Sequence, residues 1–330
     1  MVNLTIRGAV PVLLMPFEDN GTIDDESMRR QIDFCVEAGS DALAFGWGTE
    51  SHLLTDAERQ QAWTVAARHT DGRVPLIAAT THPAPAGVLA LTKIAMDCGV
   101  DAAMVNPDPL RGDRMIGLYR GLSEQVGLPL VVQDAQGNAP ADDLVAAVNE
   151  ASAIACLKIE CPATPHKMGI VREALDDALS GDREVTILGG SNGALLIEEL
   201  DRGSVGTMPH PAFIDAFKRV CEQHLGGNRG AAWDSYTSDI LPVARLVQAA
   251  GMKGGSLWLH KHLFKLAGIF ATDHCRIETA VPPRWAMEEI LTIVRTSEGC
   301  LGKKLRRCGA VTTTRSRRLS TTILRSHYPQ

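Results

Sequence analysis

The sequence predicts an α/β protein, a (β/α)8 TIM barrel followed by a C-terminal helical extension. Short runs rich in Val, Ile, Leu and Ala alternate with helical patterns along the first 210 residues. Eight such runs occur, and eight is the number of strands that closes this barrel. The runs are apolar throughout, which is typical of a parallel sheet that is covered on both faces.

The predicted strands and helices follow one another in regular order. The strands are expected at residues 8–15, 41–46, 74–80, 101–106, 129–133, 154–158, 185–189 and 204–208. The helices between them include Asp25–Ala38, Asp56–His69, Ala84–Cys98, Asp113–Val126 and Ala141–Ala151. The main alternative is an open doubly wound sheet. That fold normally carries a G-x-G-x-x-G motif after its first strand, and none stands there.

The chain divides into three parts. Residues 1–225 form the predicted barrel. Residues 226–298 lack the strand pattern and are expected to form a helical extension packed on it. Residues 299–330 are basic and rich in Ser and Thr, without clear periodicity, and we expect this tail to be disordered or loosely docked. An RNA-binding or anionic-surface role for the tail is a less favoured interpretation.

Composition excludes several classes of function. With 45% hydrophobic and 22% charged residues, the chain has an ordinary globular composition. No apolar run reaches the ~18 residues of a membrane helix, and the start lacks the layout of a signal peptide. Eight scattered cysteines without a C-x-x-C pair suit a reducing cytoplasm, where we expect the protein. The net charge of −6, with acidic residues concentrated before the tail, argues against nucleic acid as a partner of the folded part.

Lys158 ends the apolar run of the sixth predicted strand, and Glu160 follows two residues later. Lysine is seldom buried unless it is paired or used. It either extends out of the strand end to solvent or serves as an amine that forms a Schiff base with a ketone. Side chains two apart on a strand share a face, so Lys158 and Glu160 could enter one pocket or form a plain ion pair.

Other polar groups follow the remaining strands, at the edge where barrel enzymes build their sites. Gly48, Thr49 and Glu50 come after strand 2, where backbone amides and a hydroxyl could bind a carboxylate or simply form a tight turn. Gln133 and Asp134 end strand 5. The glycine-rich turn after strand 7 suits a polar or anionic group, and it contains Gly189, Gly190, Ser191 and Asn192.

Three segments carry a resemblance to a known family: residues 8–59, CLKIE at 156–160 and EELDRGSVGTMP at 198–209. They are similar to the dihydrodipicolinate synthase / N-acetylneuraminate lyase family of Schiff-base class I aldolases, over about Gly8 to Trp285. The resemblance implies a lyase whose Schiff-base lysine is Lys158. It also implies a 2-keto acid substrate such as pyruvate, no cofactor or metal, and a homo-oligomer, either a tetramer or a dimer.

Several positions depart from the family pattern. The tyrosine that relays protons is replaced by Gln133, the usual pair of threonines by Trp47 and Gly48, and the arginine that holds a second carboxylate substrate by Asn138. The combination of VQDA on strand 5 with KIE on strand 6 resembles the branch that acts on 2-keto-3-deoxy sugar acids. Dehydration or aldol cleavage of such an acid, for example L-2-keto-3-deoxyarabonate, is therefore the expected reaction.

The expected roles follow from this resemblance. Lys158 forms the Schiff base, and Glu160 moves protons in place of the missing tyrosine, with Asp134 and a water held by Gln133 as the second choice. Gly48, Thr49 and Glu50 contact the substrate carboxylate, and residues 189–192 contact the polyol end. Three alternatives stay open: 4-hydroxy-tetrahydrodipicolinate synthase, a metal-dependent barrel lyase using His82, His166 and His210, and a protein that only binds a keto acid.

Overall fold

The computed structural model describes residues 4–179, 183–251 and 257–308. In these parts of the chain, eight parallel strands alternate with helices. The strands are β1 Gly8–Ala9, β2 Leu43–Ala44, β3 Leu76–Ala79, β4 Ala102–Val105, β5 Leu130–Ala135, β6 Ile154–Glu160, β7 Thr186–Leu188 and β8 Gly206–Thr207. Each overlaps one of the eight predicted strands, which confirms the α/β class.

One helix follows each strand. These helices are α1 Asp25–Glu37, α2 Asp56–Thr70, α3 Pro85–Asp97, α4 Gly112–Gln125, α5 Ala141–Glu150, α6 Thr164–Ala178, α7 Leu196–Leu200 and α8 Ile214–Leu225. Local sequence explains where several of them begin. In α2, Thr55 accepts from the Glu58 backbone while the Glu58 side chain accepts from the Thr55 N–H, a reciprocal capping box that satisfies two exposed donors.

The strands form two parallel sheets. The order β2-β3-β4-β5-β6-β7 makes one sheet of six strands, and β1 pairs with β8 in a second sheet of two. Isolated parallel bridges connect the two sheets at both ends, between Val12 and Ala44 and between Gly189 and Thr207. The observed architecture is thus a six-stranded parallel sheet joined to a strand pair. A closed eight-stranded barrel remains a prediction.

The two faces of the strands pack into different cores, because successive side chains on a strand point in opposite directions. Val132 and Leu157 belong to the large cluster between strands and helices. Val131 and Cys156, one residue earlier on each strand, belong to a smaller cluster that we call the inner cluster. Its fully buried members include Val10, Ala44, Ile77, Ala102, Met104, Val131, Cys156 and Leu188.

The C-terminal extension consists of five helices in the described residues: α9 Arg229–Asp239, α10 Leu241–Ala249, α11 Leu257–Leu266, α12 Arg284–Thr296 and α13 Cys300–Arg307. Helix α12 begins directly after the N-cap residue Pro283. The domain boundaries at 225 and 298 stay a prediction. None of the described helices is both long and apolar enough to cross a membrane.

The start of the basic tail is a helix, so the expectation of disorder from residue 299 was wrong for residues 300–307. Leu301 and Leu305 are buried in the core on one side of α13, while its basic residues face outward. Asp215 accepts a hydrogen bond of 2.8 Å from the Cys300 N–H at the helix N-terminus. Two leucines four apart suffice to dock one short helix. The rest of the tail, residues 309–330, lies outside the described residues.

Candidate active site

Strand alternation places three polar side chains on the face of the inner cluster. Lys158 and Glu160 follow Cys156 by two and four residues on β6. Gln133 follows Val131 by two on the neighbouring strand β5, and its register partner is Lys158. Because side chains two apart share a face, all three extend beyond the inner cluster at the carboxyl ends of the strands.

Lys158 and Glu160 form an ion pair. The Nζ atom of Lys158 lies 2.7 Å from Oε2 of Glu160, and the lysine side chain is only 4% exposed. Gln133 Nε2 donates to the same oxygen at 3.2 Å, and the Ser191 N–H donates to Oε1 at 2.9 Å. Both carboxylate oxygens of Glu160 therefore accept hydrogen bonds, which hold the side chain in one orientation.

The electrostatics of Glu160 follow from these contacts. Burial raises the pKa of its carboxyl group. The charge of Lys158 and the hydrogen bonds from Lys158, Ser191 and Gln133 outweigh burial and hold the pKa below its usual value. Glu160 is therefore ionised at neutral pH and can accept a proton.

This pair lies in a cavity of about 830 Å³. Seven of the predicted site residues line it: Gly48, Thr49, Gln133, Lys158, Glu160, Ser191 and Asn192. They come from β5, β6 and the turns that follow β2 and β7. Residues distant in sequence thus meet at one edge of the sheet, as expected for an α/β enzyme.

Asp134 does not belong to this site, and its predicted catalytic role was wrong. It points to the opposite face of β5, where it is buried and pairs with Lys167 at 2.6 Å. Its Oδ1 also accepts from the Ala139 N–H at 2.9 Å. The period of two along the strand explains the difference, since Gln133 and Asp134 cannot share a face.

Glu50 is likewise directed away from the cavity, so its predicted contact with substrate was wrong. Its side chain is completely buried and forms an ion pair with Lys261 of α11. Its other oxygen accepts from the backbone N–H groups of Arg276 and Ile277, at 2.7 and 3.2 Å. Glu50 therefore ties the C-terminal extension to the turn after β2.

Thr49 lines the cavity, but its hydroxyl is already committed. It donates to the Gly46 carbonyl at 3.0 Å, and the Ser51 hydroxyl donates to the same carbonyl at 2.6 Å. These bonds fold residues 47–53 into two short 3₁₀ turns. The turn interpretation of this segment is therefore confirmed, and Gly48 and Thr49 also line the cavity.

Gly189 and Gly190 make room for neighbours and do not line the cavity. A Cβ atom on Gly190 would lie 2.2 Å from Oε1 of Glu160, and one on Gly189 would lie 1.8 Å from Oε2 of Glu199. Only glycine lets both carboxyl groups approach the backbone this closely. The predicted substrate contacts at these two glycines stay a prediction, whereas Ser191 and Asn192 line the cavity.

Sequence reasoning named His210 only as a possible metal ligand, and the structure places it on the cavity wall after β8. Its backbone N–H donates to Oδ1 of Asn192 at 2.9 Å, and its ring packs edge-on against His260. Burial and the nearby charge of Lys158 lower the pKa of His210 to about 4, although Glu160 opposes the shift. The imidazole is therefore neutral at physiological pH. Its position at a strand end was the available signal.

The outer half of the cavity was also unforeseen. It is lined by Phe213 and Phe217 and by one side of α10, including Leu241, Val243, Arg245 and Gln248. No sequence signal connects a helix of the extension with the strand ends. Among the described residues, no cluster of three His, Cys, Asp or Glu could hold a metal ion.

Comparisons with known proteins agree with this geometry. The Dihydrodipicolinate synthetase family profile matches residues 5–148. The chain is 28% identical over 281 residues to the L-2-keto-3-deoxyarabonate dehydratase of Azospirillum brasilense, covering 82% of this chain and 87% of that protein. Over residues 5–148 the chain is therefore similar to the dihydrodipicolinate synthetase family. It is accordingly an enzyme of the lyase class.

Other relatives of the chain carry a different activity in their names. The 4-hydroxy-tetrahydrodipicolinate synthase of Xanthomonas axonopodis pv. citri is 27% identical over 274 residues, covering 76% of this chain and 88% of that protein. The crystal structure of dihydrodipicolinate synthase from Rhodopseudomonas palustris superposes with a TM-score of 0.79 at 25% identity, covering 89% and 99% of the two chains. The family and its fold are thus shared by enzymes with different substrates.

Proposed function

We propose that this lyase forms a Schiff base between Lys158 and the ketone of a 2-keto acid, and that it dehydrates a 2-keto-3-deoxy sugar acid such as L-2-keto-3-deoxyarabonate. The observation that carries the proposal is the buried amine of Lys158 in the cavity, 2.7 Å from the Glu160 carboxylate. A protein that only binds a keto acid needs no buried amine beside an ionised carboxylate.

The first step uses the pair directly. Glu160 takes a proton from the Lys158 ammonium group, and the free amine attacks C2 of the keto acid. Glu160 returns this proton to the C2 oxygen, which leaves as water together with a proton from the amine nitrogen. The products are an iminium ion and an ionised Glu160. This cation withdraws electrons from C3 and so acidifies the C3–H bond.

The second step removes water from the substrate. Glu160 accepts the C3 proton, and the electron pair of that bond forms an enamine with the iminium carbon. The same carboxylic acid then donates its proton to the C4 hydroxyl, which leaves as water. Glu160 is suited to both transfers because Gln133 and Ser191 hold its oxygens beside the amine.

The remaining lining residues suggest how the substrate is oriented. The backbone of Gly48 and Thr49 forms the wall on which the C1 carboxylate would lie. Ser191 and Asn192 line the cavity beyond Glu160 and offer polar groups to the hydroxyls of the sugar acid. These assignments are part of the proposal, as is the closed eight-stranded barrel that would carry the site. A cytoplasmic homo-oligomer also remains part of it.

The choice of substrate rests on Gln133 and Asn138. Gln133 takes the place of the proton-relaying tyrosine, and Asn138 the place of the arginine that would hold a second carboxylate substrate. The name of the Azospirillum relative supports the same branch. The second candidate is 4-hydroxy-tetrahydrodipicolinate synthase, which is favoured by the names of several other relatives.

Two experiments test the proposal. In the first, the protein is incubated with pyruvate and borohydride, digested and analysed by mass spectrometry. We expect a reduced adduct on Lys158, and an adduct on another residue, or none with any 2-keto acid, would overturn the Schiff-base assignment. In the second, 2-keto-3-deoxy acids are assayed for dehydration and for pyruvate release, alongside pyruvate with aspartate semialdehyde. Activity confined to the semialdehyde reaction would favour the second candidate.

A further inference from the structure

Glu199 is a buried acidic residue for which the proposed mechanism has no use. It lies on α7, its side chain is 1% exposed, and its Oε2 has no hydrogen-bond partner in the described part of the chain. None of the groups that shift its pKa carries a positive charge. Because an uncompensated buried carboxylate is costly, this environment favours the neutral carboxylic acid.

Glu199 touches the backbone segment that separates it from the active site. A Cβ atom on Gly189 would lie 1.8 Å from Oε2 of Glu199, while one on Gly190 would lie 2.2 Å from Oε1 of Glu160. Successive Cβ directions in an extended segment point to opposite faces. The two carboxyl groups therefore lie on opposite sides of a single stretch of backbone, with Glu160 on the cavity side.

This stretch also holds Glu160 in place. The Gly189 N–H donates to the Gly206 carbonyl at 3.0 Å, which anchors the segment to β8. Two residues later, the Ser191 N–H donates to Glu160 at 2.9 Å. A group that supports Gly189 from behind thus acts on the position of the Glu160 carboxylate.

The charged groups that shift the pKa of Glu199 are two other carboxylates, Glu160 and Glu198. Burial raises its pKa most, and the negative charges of Glu160 and Glu198 add to this, so that the pKa reaches about 8. Among the described residues, Cys221 on α8 and Tyr236 on α9 are also coupled to Glu199 electrostatically. Burial is the main cause that raises the pKa of each to about 12, so both stay neutral when Glu199 ionises.

We propose that Glu199 is a positioning residue that supports the Gly189–Ser191 segment as a neutral acid and that impairs the Lys158–Glu160 pair when it ionises. An ionised Glu199 places a second negative charge behind Glu160. The two like charges repel, which disturbs the contact of the Glu160 carboxylate with Lys158. The consequence for Lys158 rests on the proposed Schiff-base function, whereas the neutral state of Glu199 does not.

The state of Glu199 can be tested without any substrate. The infrared spectrum of the parent protein at pH 7 should contain the carbonyl band of a buried protonated carboxylic acid. The band should fade as the pH is raised from 7 to 9.5, and it should be absent from the Glu199→Gln variant but present in Glu198→Gln. A parent spectrum without this band at pH 7, or a band that survives Glu199→Gln, would overturn the proposal.

Stability gives a second test of the same state. The ordinary pKa of a glutamate is 4.5, and that of Glu199 is about 8 in the folded protein. Between these values the folded state holds a proton that the unfolded state has released, so this group's contribution to stability falls as the pH rises and is constant above about 8. The denaturation midpoint of Glu199→Gln should therefore rise relative to that of the parent as the pH is raised from 5 to 8. A difference independent of pH would contradict the proposal.

The effect on the active site is tested with pyruvate as the probe. At pH 9, labelling of Lys158 by pyruvate and cyanoborohydride should be at least three-fold faster in Glu199→Gln than in the parent, and at pH 6.5 the two rates should agree. In the matched control Glu198→Gln, Glu199 is retained and still ionises, so the labelling rate at pH 9 should equal that of the parent. Superimposable profiles for Glu199→Gln and the parent would overturn the positioning role. If the parent is not labelled at all, the Schiff-base function fails, and the infrared and stability results still decide the state of Glu199.

Discussion

The amine of Lys158 lies 2.7 Å from a carboxylate oxygen of Glu160, two residues further along the same strand. The spacing of two puts both groups on one face of β6, and the cavity lies beyond them. In the proposed function these two groups are the nucleophile and the base that form the iminium ion and move its protons.

The first prediction concerns the base. Replacing Glu160 by Gln should lower the turnover of the preferred 2-keto acid by roughly 10²–10⁴, the range typical of a lost general acid–base group. Lys158 should still be trapped by pyruvate and borohydride in this variant. Steady-state kinetics measure the first effect and mass spectrometry the second. Turnover within a few-fold of the parent would remove Glu160 from the mechanism.

The second prediction concerns Asp134, which is buried and paired with Lys167 on the face away from the cavity. Asp134→Ala should destabilise the fold by about 3–5 kcal/mol, because it leaves the lysine charge without its partner. The kcat and KM of the folded fraction should be unchanged. Chemical denaturation and kinetics under native conditions test both statements. Abolished turnover in a variant of parental stability would show instead that Asp134 takes part in catalysis.

The third prediction concerns the fully buried pair of Glu50 and Lys261. Glu50→Leu alone should cost about 3–5 kcal/mol, since Lys261 is then buried without a counter-charge. Combining it with Lys261→Met should recover part of this loss, because neither charge remains. A double-mutant cycle of unfolding free energies gives the measurement. Additive losses in the double variant would show that the two residues do not act as a pair.

The fourth prediction concerns acid stability at the contact between α2 and the extension. A hydrogen-bonded pair with Arg276 lowers the pKa of Glu58 from 4.5 to about 2. Because the folded pKa is depressed, this contribution is present above pH 4.5 and is lost as the pH falls towards 2. Denaturation midpoints of the parent and Glu58→Gln should therefore converge over that interval. Curves that stay parallel down to pH 2 would contradict this role.

The strand and helix order was predictable because hydrophobic periodicity and helix caps are local properties of the sequence. The eight strands and the capped helix that begins after Thr55 are of this kind. The period of two also places Lys158 and Glu160 on one face. The same rule, applied to Gln133 and Asp134, would have separated them, since adjacent strand residues point to opposite sides.

Only the tertiary structure decided what each polar residue meets. Glu50 and Gly48 lie two residues apart in the same turn, yet the structure directs Glu50 into an ion pair with Lys261, 211 positions away in the chain. The sequence alone does not show why residue 189 is a glycine. The structure shows that a side chain there would collide with Glu199. Local patterns determined which residues stand at the strand ends. Partners distant in the chain determined which of them face the cavity, because burial and charge pairing depend on the whole packed arrangement.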